Sequence, residues 1–268
     1  MTTPHGMLAE RWREFRVRPS PAVAAASRDE TERISSVYRQ YEADPESVAK
    51  WDWGNRGNQW MALECRRKTH SLLFQTLATP LSECRILDIG CGTGYLLATV
   101  CEWGARPQHV LGIDLLPEHI DAARRTYPEI PFLCANAERL RLPDSSVDLV
   151  LVFTVFSSIL DATMASNLAR EIRRVLRDPS PSRPSSGGAV VWYDFRYNNP
   201  WNRNTRPMTK RRIRRLFAGF QGRLEPITLV PPIARRLSRF TDALYPILAR
   251  VRPLRSHYLG RLAKLSPA

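Results

Sequence analysis

An apolar, β-branched run that ends in three closely spaced glycines constrains this chain more than any other feature. Residues 85–89 read Arg-Ile-Leu-Asp-Ile, glycines follow at alternate positions within 90–94, and a helical pattern covers 95–103. This order predicts a buried strand, a tight turn and a helix N-terminus. Glycine lets a ligand approach the backbone closely, and free N–H groups at a helix start attract anionic groups. The segment therefore favours a ligand of the nucleotide type.

The spacing of these glycines separates the turn from the dinucleotide-binding type, which reads G-x-G-x-x-G. Here the third glycine comes one residue early, and Tyr95 stands where the dinucleotide pattern needs it. An acid, Asp88, also lies in the strand just before the turn. The run D-I-G-C-G-T-G over 88–94 resembles the first motif of class I S-adenosylmethionine-dependent methyltransferases. For this turn alone, an ordinary glycine-rich turn is the alternative.

Later segments resemble the next motifs of that family in the right order. Residues 112–120 resemble the second motif, and residues 134–150 resemble the third and fourth. Asp114 lies 20 residues beyond the last glycine, at the end of a predicted strand, where a carboxylate can accept hydrogen bonds from two ribose hydroxyls. The resemblance covers residues 30–195 well and the C-terminal part loosely. Within the family, the chain most resembles the small-molecule "type 11" group, which is similar to ubiquinone-biosynthesis methyltransferases.

The resemblance implies an α/β fold, a cofactor and an enzyme class. The fold is a Rossmann-like, seven-stranded, mostly parallel sheet with helices on both faces and an antiparallel last strand. The cofactor is S-adenosyl-L-methionine, and the activity is methyl transfer. In the family an Asp usually stands at the position of Asn136 and holds the adenine amino group, a bond that an asparagine oxygen can also accept. The implied cofactor-binding residues are Asp88, Gly90, Cys91, Gly92, Gly94, Asp114, Leu115, Asn136 and Ala137.

Strand and helix patterns alternate along the chain, which by itself indicates a parallel sheet covered by helices on both faces. Helical patterns cover 117–127 and 162–177. Further predicted strands are 109–115, 131–137, 147–155, 187–195, 222–230 and 257–264.

Composition and pattern divide the chain into three parts. Residues 1–28 are predicted to be a flexible arm, 29–80 a helical cap and 81–268 the methyltransferase domain. Within the last part, the proline- and serine-rich stretch 178–186 predicts a surface loop. Residues 231–253 predict a basic amphipathic helical insertion before the last strand.

Aromatic residues are dense ahead of the first strand. Tyr38 and Tyr41 lie at helical spacing, and the segment 53–58 is rich in tryptophan, glycine and amide side chains. In class I methyltransferases, helices placed before the first strand commonly close over the cofactor, so both groups are candidates for such a cap. Ordinary core packing is the alternative for the tryptophans.

The net positive charge of the chain comes entirely from its last quarter. Residues 196–268 carry 17 Lys and Arg against two acids, whereas residues 1–195 are close to neutral. Such asymmetry favours an anionic partner such as lipid headgroups, a pyrophosphate-linked substrate or nucleic acid. In the segment 231–253, apolar residues at helical spacing alternate with arginines, which predicts either peripheral contact with a membrane or a lid packed on its own domain.

Other compositional features exclude several classes. The five cysteines are scattered and contain no C-x-x-C pair, so neither a disulfide framework nor a metal site is expected. No apolar run reaches the roughly 18 residues of a membrane-spanning helix. The polar N-terminus lacks a signal core, so a cytoplasmic location is expected, with peripheral membrane association left open.

The end of the fifth strand is the predicted acceptor site, because ligands bind at the carboxyl ends of strands in open α/β sheets. Asp194 is the candidate catalytic base, with a turn-stabilising acid as the alternative. Tyr193, Tyr197 and Asn198 are candidate substrate contacts, whereas His257 is expected to be structural. The predicted reaction methylates a small-molecule or lipid- or sugar-linked acceptor at oxygen. An RNA methyltransferase or RNA-binding relative, and a non-catalytic partner subunit, are the alternatives.

Overall fold

A seven-stranded sheet with helices on both faces forms the body of the protein in a computed structural model. The structure describes residues 25–77, 79–180, 187–199 and 202–265. The strands are β1 (Ile86–Ile89), β2 (Val110–Asp114), β3 (Phe132–Cys134), β4 (Leu149–Phe153), β5 (Ala189–Phe195), β6 (Phe220–Leu229) and β7 (Arg255–Lys264). The helices are α1 (Ala25–Ala43), α2 (Pro45–Lys50), α3 (Arg56–Thr76), α4 (Tyr95–Glu102), α5 (Pro117–Thr126), α6 (Ala162–Val175), α7 (Lys210–Leu216), α8 (Pro231–Arg236) and α9 (Thr241–Leu248).

The strand order is β3-β2-β1-β4-β5-β7-β6. Strands β1 to β5 run parallel, and β7 is antiparallel to both β5 and β6. The order reverses between β1 and β4, where Ile86 lies opposite Val110 on one side and Leu149 on the other. Such a reversal opens a crevice at the carboxyl ends of the strands. The predicted fold, including the antiparallel last strand, is confirmed.

The two faces of the sheet have separate cores because side chains alternate along each strand. Leu87 and Ile89 of β1 enter the core formed with α1, α6 and α7. Ile86 enters the core formed with α3, α4 and α5. Each fully buried leucine or isoleucine contributes about 1.5–3 kcal/mol to folding. The two cores hold β1 and the turn that follows it in a fixed position.

Several predicted boundaries differ from the structure. The strand predicted over 131–137 ends at Cys134, because the chain then turns away from the edge of the sheet. Helix α1 begins at Ala25, inside the predicted arm, and residues 1–24 lie outside the described residues. Most of the predicted loop, residues 181–186, also lies outside them.

The predicted helical insertion is present between β6 and β7, and it packs on its own domain. Tyr245 of α9 is buried against α3, where its ring stacks on Trp60 with centroids 5.5 Å apart. Gly57 allows α8 to approach closely, since a Cβ at this position would lie 2.2 Å from the Ala234 oxygen. Asn55 caps α3 and also donates to the Arg235 carbonyl at 3.2 Å. The segment 53–58 thus lies against the insertion.

Two features are absent from the residues that the structure describes. Within that part of the chain, no helix combines the length and apolar character needed to cross a bilayer. The same residues contain no group of three or more His, Cys, Asp or Glu side chains able to hold a metal ion.

Candidate active site

A cavity of about 280 Å³ lies at the carboxyl ends of β1, β2 and β4. Gly90 and Gly92 line it from the turn after β1, and Asp114 lines it from the end of β2. Helix α1 covers the cavity with Ile34 and Tyr38. The cavity therefore occupies the crevice that the strand order opens.

The three glycines of the turn differ in what surrounds them. Gly90, Gly92 and Gly94 have φ values of +70°, +52° and +88°, a region that L side chains rarely adopt. A Cβ at Gly90 would lie 2.7 Å from Val155, and one at Gly94 would lie 2.6 Å from Phe132. A Cβ at Gly92 would meet no atom within 4 Å. Gly92 therefore borders open space, and the other two glycines allow close packing.

Asp114 links the glycine turn to the end of β2. Its Oδ2 accepts the Gly92 N–H at 2.9 Å, and its Oδ1 accepts the Leu116 N–H at 3.0 Å. Each carboxylate oxygen can accept a further hydrogen bond. The two backbone bonds hold the carboxylate in one orientation, so it is preorganised to bind a pair of hydroxyl groups.

Leu115, Asn136 and Ala137 line the cavity beyond Asp114. Asn136 Oδ1 accepts the Glu138 N–H at 2.9 Å, and its Nδ2 donates to Thr31 Oγ1 at 3.3 Å. The amide oxygen keeps a second lone pair, which can accept a bond from an amino group. The bond to Thr31 also connects this wall to α1.

The other three predicted cofactor residues lie behind the cavity wall. Gly94 packs on Phe132, and the Cys91 side chain is buried in the core beside α4. Asp88 is buried as well, and its Oδ2 has no hydrogen-bond partner among the described residues. Burial, followed by the charge of Asp114, raises the pKa of Asp88 well above its usual range. A direct contact of Asp88 with a cofactor stays a prediction.

Helix α1 is fixed over the cavity by polar contacts with the loop after β4. Arg33 Nη2 donates to the Ser158 carbonyl at 2.6 Å, and the Tyr38 hydroxyl bonds to Ser158 Oγ at 3.1 Å. Glu30 Oε1 accepts the Leu160 N–H at 2.5 Å. Tyr38 thus belongs to a cap over the cavity, whereas the tryptophan-rich segment 53–58 does not.

Further along α1, charged side chains connect the helix to α5. Arg39 pairs with Glu118 at 2.7 Å, and Glu42 bonds to His119 Nε2 at 2.5 Å. His119 Nδ1 lies 3.7 Å from Asp114 Oδ1. The Asp114 carboxylate and then Glu42 raise the pKa of His119 to about 9 despite its burial. A charged His119 therefore joins the cap to the carboxylate at the end of β2.

The predicted acceptor residues do not line the cavity. Tyr193 lies on the face of the sheet opposite to its neighbour Trp192. There its hydroxyl bonds to Thr228 Oγ1 at 3.0 Å, and its ring stacks on His257. The Tyr197 hydroxyl donates to the Pro253 carbonyl at 3.1 Å. Asn198 is exposed. Their roles as substrate contacts stay predictions.

Asp194 is fully buried and supports the loop after β4. Its Oδ2 accepts the Ser157 N–H at 3.0 Å, and its Oδ1 accepts the Phe195 N–H at 2.7 Å. Burial raises the pKa of Asp194 to about 6. His257 is also buried, and burial lowers its pKa to about 3, which fits the structural role expected for it.

Several cavity residues were not singled out from the sequence, and three of them carry a hydroxyl or imidazole group. His119, Thr154 and Ser158 all line the cavity. Thr154 has φ +57°, a strained conformation for a β-branched residue, and such outliers occur at functional sites. Thr154 and Ser158 could have been found from the sequence, because they are polar residues that closely follow the apolar run of β4.

The residues that line this cavity fit S-adenosylmethionine. An open glycine edge at Gly92 suits its amino-acid portion, and the Asp114 carboxylate suits ribose hydroxyls. Leu115 and Ala137 supply apolar surface for a purine, and Asn136 supplies an acceptor for its amino group.

Comparison with known proteins agrees with this geometry. Residues 86–179 match the family described as "methyltransferase domain". Residues 86–179 form a class I methyltransferase domain. Together with the S-adenosylmethionine-dependent relatives and a solved structure with bound S-adenosylhomocysteine, this match confirms the expected family and the expected cofactor, S-adenosylmethionine, for this domain.

The curated relatives match only part of the chain. A probable S-adenosylmethionine-dependent methyltransferase of Mycobacterium tuberculosis is 33% identical over 113 residues, which are 41% of this chain and 38% of the relative. The biotin biosynthesis bifunctional protein BioHC of Cellvibrio japonicus is 33% identical over 115 residues, 42% of this chain and 21% of that protein. The chain thus spans well under two thirds of these relatives.

A solved structure extends the similarity of fold over most of the chain. The 1,6-didemethyltoxoflavin-N1-methyltransferase of Burkholderia thailandensis, with bound 1,6-didemethyltoxoflavin and S-adenosylhomocysteine, has a TM-score of 0.56 and 18% identity. The match covers 93% of this chain and 94% of that protein. An S-adenosylmethionine-dependent methyltransferase of Archaeoglobus fulgidus has a TM-score of 0.52 and 16% identity, covering 74% and 94% of the two chains.

Raising the pH through about 9 is expected to loosen α1 over the methyltransferase cavity. Because the folded-state pKa of His119 is raised, its stabilising charge is fully present below the ordinary value of 6.5 and is lost as the pH passes about 9. The rate at which S-adenosylhomocysteine dissociates should therefore rise across this window. His119→Gln should dissociate the ligand faster at neutral pH and should lack the increase. Equal pH dependence in both proteins would contradict this role.

Proposed function

We propose that the protein transfers a methyl group from S-adenosylmethionine to an oxygen atom of a small-molecule acceptor. The observation that supports a small acceptor is the closure of the cavity by α1. Polar contacts anchor this helix to the loop after β4 through Arg33 and to α5 through Glu42. An acceptor must therefore approach through enclosed space, which a metabolite or the end of a linked chain can enter more easily than folded RNA.

The enclosed cavity also suits the chemistry of methyl transfer. The bound sulfonium supplies an activated methyl group, whose bond to sulfur breaks as a bond to the acceptor oxygen forms and the hydroxyl proton leaves to a base. The protein aligns the acceptor with the methyl group and excludes water. Hydroxyl groups of Tyr38, Thr154 and Ser158 lie at the cavity and can hydrogen-bond an acceptor hydroxyl. These groups support the choice of oxygen.

Asp194 is the base in this proposal, and Tyr38 and Ser158 would relay the proton to it. Tyr38 bonds to Ser158, and burial raises the pKa of Tyr38, with further contributions from the negative charges of Asp114 and then Asp194. Ser157, the neighbour of Ser158, donates its N–H to Asp194. The loop that carries Ser158 is thus bonded to a carboxylate that is ionised above about pH 6.

Asp194→Asn is expected to lower kcat by 10²-fold or more, on the order expected for loss of a general base, while leaving cofactor affinity within about twofold. In the unmodified protein kcat should rise with pH through about 6, as Asp194 ionises, and this acidic limb should be absent from the variant. Tyr38→Phe is the matched control, since it interrupts the relay but keeps the carboxylate. An acidic limb that persists in Asp194→Asn would leave Asp194 only the structural role.

The function itself is tested by following the methyl group. The protein is incubated with cell extract and S-adenosylmethionine labelled in the methyl group, and the small-molecule, RNA and protein fractions are then separated. Label in the small-molecule fraction, in an O-methyl product by mass spectrometry, is the expected result. Label in RNA would favour the nucleic-acid alternative, an N-methyl product would refute the choice of oxygen, and no transfer at all would favour a non-catalytic subunit.

A further inference from the structure

The outer side of α9 and its flanking turns carries a stripe of exposed apolar side chains. The exposed fractions are 53% for Phe240, 38% for Leu244, 57% for Ile247 and 45% for Val251. Their spacing of three or four residues places them along one side of a helix. The other side carries Tyr245, which is buried against α3. The domain core therefore holds the helix in place and leaves the stripe in water.

Arginines flank this stripe along the chain, and the Arg239 guanidinium lies over the Phe240 ring at 4.8 Å. Between residues 231 and 255 the sequence has six arginines and one acid, Asp242. The Asp242 carboxylate is already bonded to Arg56 at 2.7 Å and to Trp60 Nε1 at 2.6 Å. The local potential is therefore positive. Four of these arginines are exposed: Arg236, Arg239, Arg250 and Arg252.

Exposed tryptophans adjoin the same helical unit. Arg235 of α8 lies over the Trp51 ring at 4.6 Å, and Trp51 is 66% exposed. Trp53, two residues away, is 56% exposed. Tryptophan rings favour the boundary between water and lipid because they combine a large apolar surface with one hydrogen-bond donor.

An anionic lipid surface suits this combination better than other partners. Apolar side chains can enter the acyl boundary by about 5–10 Å while guanidinium groups remain among the phosphates. A second copy of the chain is a poorer fit, since four half-exposed side chains supply a few hundred Å², whereas a stable interface buries about 800 Å² per partner. RNA would use the arginines but has no need of the apolar stripe.

We propose that the α9 surface, made of Phe240, Leu244, Ile247 and Val251 with Arg236, Arg239, Arg250 and Arg252, docks on a bilayer rich in anionic lipid. This property is separate from methyl transfer and does not depend on it. The insertion is anchored to α3, so docking would hold the whole methyltransferase domain at the membrane.

Vesicle sedimentation of the full chain tests the proposal. The protein should bind vesicles of mixed phosphatidylglycerol and phosphatidylcholine, and binding to phosphatidylcholine alone should be at least about 10-fold weaker. Phe240→Ser combined with Ile247→Ser should lower binding to the anionic vesicles about 10-fold or more, as should Arg239→Gln combined with Arg250→Gln. Because these side chains are exposed, thermal unfolding and cofactor binding should stay unchanged.

Matched controls lie elsewhere on the surface. Phe74 is 56% exposed, close to the value for Phe240, and Phe74→Ser should bind vesicles normally. Arg67→Gln combined with Arg125→Gln removes the same charge from exposed positions on α3 and α5 and should weaken binding by less than about threefold. Equal loss in the controls would overturn the proposal. So would RNA binding or a dimer that depends on the α9 surface in a protein that fails to bind vesicles.

Discussion

Replacing Asp114 with alanine is expected to weaken binding of S-adenosylmethionine by about 10- to 150-fold. This corresponds to a loss of about 1.5–3 kcal/mol for charge-assisted hydrogen bonds to two ribose hydroxyls. The carboxylate is already oriented by the Gly92 and Leu116 N–H groups, so little is spent on ordering it when the ligand binds. Equilibrium dialysis with labelled cofactor measures the change.

The control for Asp114→Ala is Asp121→Ala, which removes an acid from an exposed position on α5. Asp121→Ala should leave affinity within about twofold, because a solvent-exposed charge at a distance is screened. If Asp114→Ala also keeps its affinity, the carboxylate does not bind the ribose. If it unfolds the chain, Asp114→Asn provides the test, since one amide oxygen can replace one of the two acceptors.

Replacing Gly92 with valine is expected to lower cofactor affinity by 100-fold or more. A Cβ at Gly92 meets no protein atom within 4 Å, so the added side chain would occupy space that the cofactor needs. The substitution also carries a backbone cost of about 1–2 kcal/mol, because φ is +52°. The expected variant is therefore somewhat less stable but still folded, and it binds cofactor poorly.

Gly104→Val separates these two effects. Gly104 also has a positive φ, +109°, and open space around its Cβ position, and it does not line the cavity. It should lose at least as much stability while keeping cofactor affinity. Equal affinity in the two variants, measured at a temperature where both are folded, would show that Gly92 does not border the cofactor.

Much of the fold could be predicted because its signals are local. The apolar run before Gly90 and the alternation of strand and helix patterns specify a parallel sheet. Strands were predicted to extend too far where the apolar pattern continues beyond the last residue paired in the sheet, as at Ala135. The start of α1 was placed too late because the alanine-rich stretch around Ala25 lacks a clear apolar period.

The cofactor side of the site could be predicted better than the acceptor side. Six of the nine predicted cofactor residues line the cavity. They belong to sequence motifs that lie at the carboxyl ends of neighbouring strands, and these ends meet at the cavity. Tyr193 illustrates the limit, since the strand alternation turns it to the face opposite Trp192. The contacts of α1 illustrate a second limit of prediction from sequence. Arg33 and Ser158 are 125 residues apart in the sequence, and only folding brings them together.

The most direct test of the central claim is a crystal structure of the full chain grown with S-adenosylhomocysteine. The predicted result is continuous density from Gly92 to Asn136, with both ribose hydroxyls at hydrogen-bond distance, about 2.6–3.2 Å, from the Asp114 carboxylate. A cavity filled by the protein's own side chains under saturating ligand, or a ribose bound away from Asp114, would contradict it.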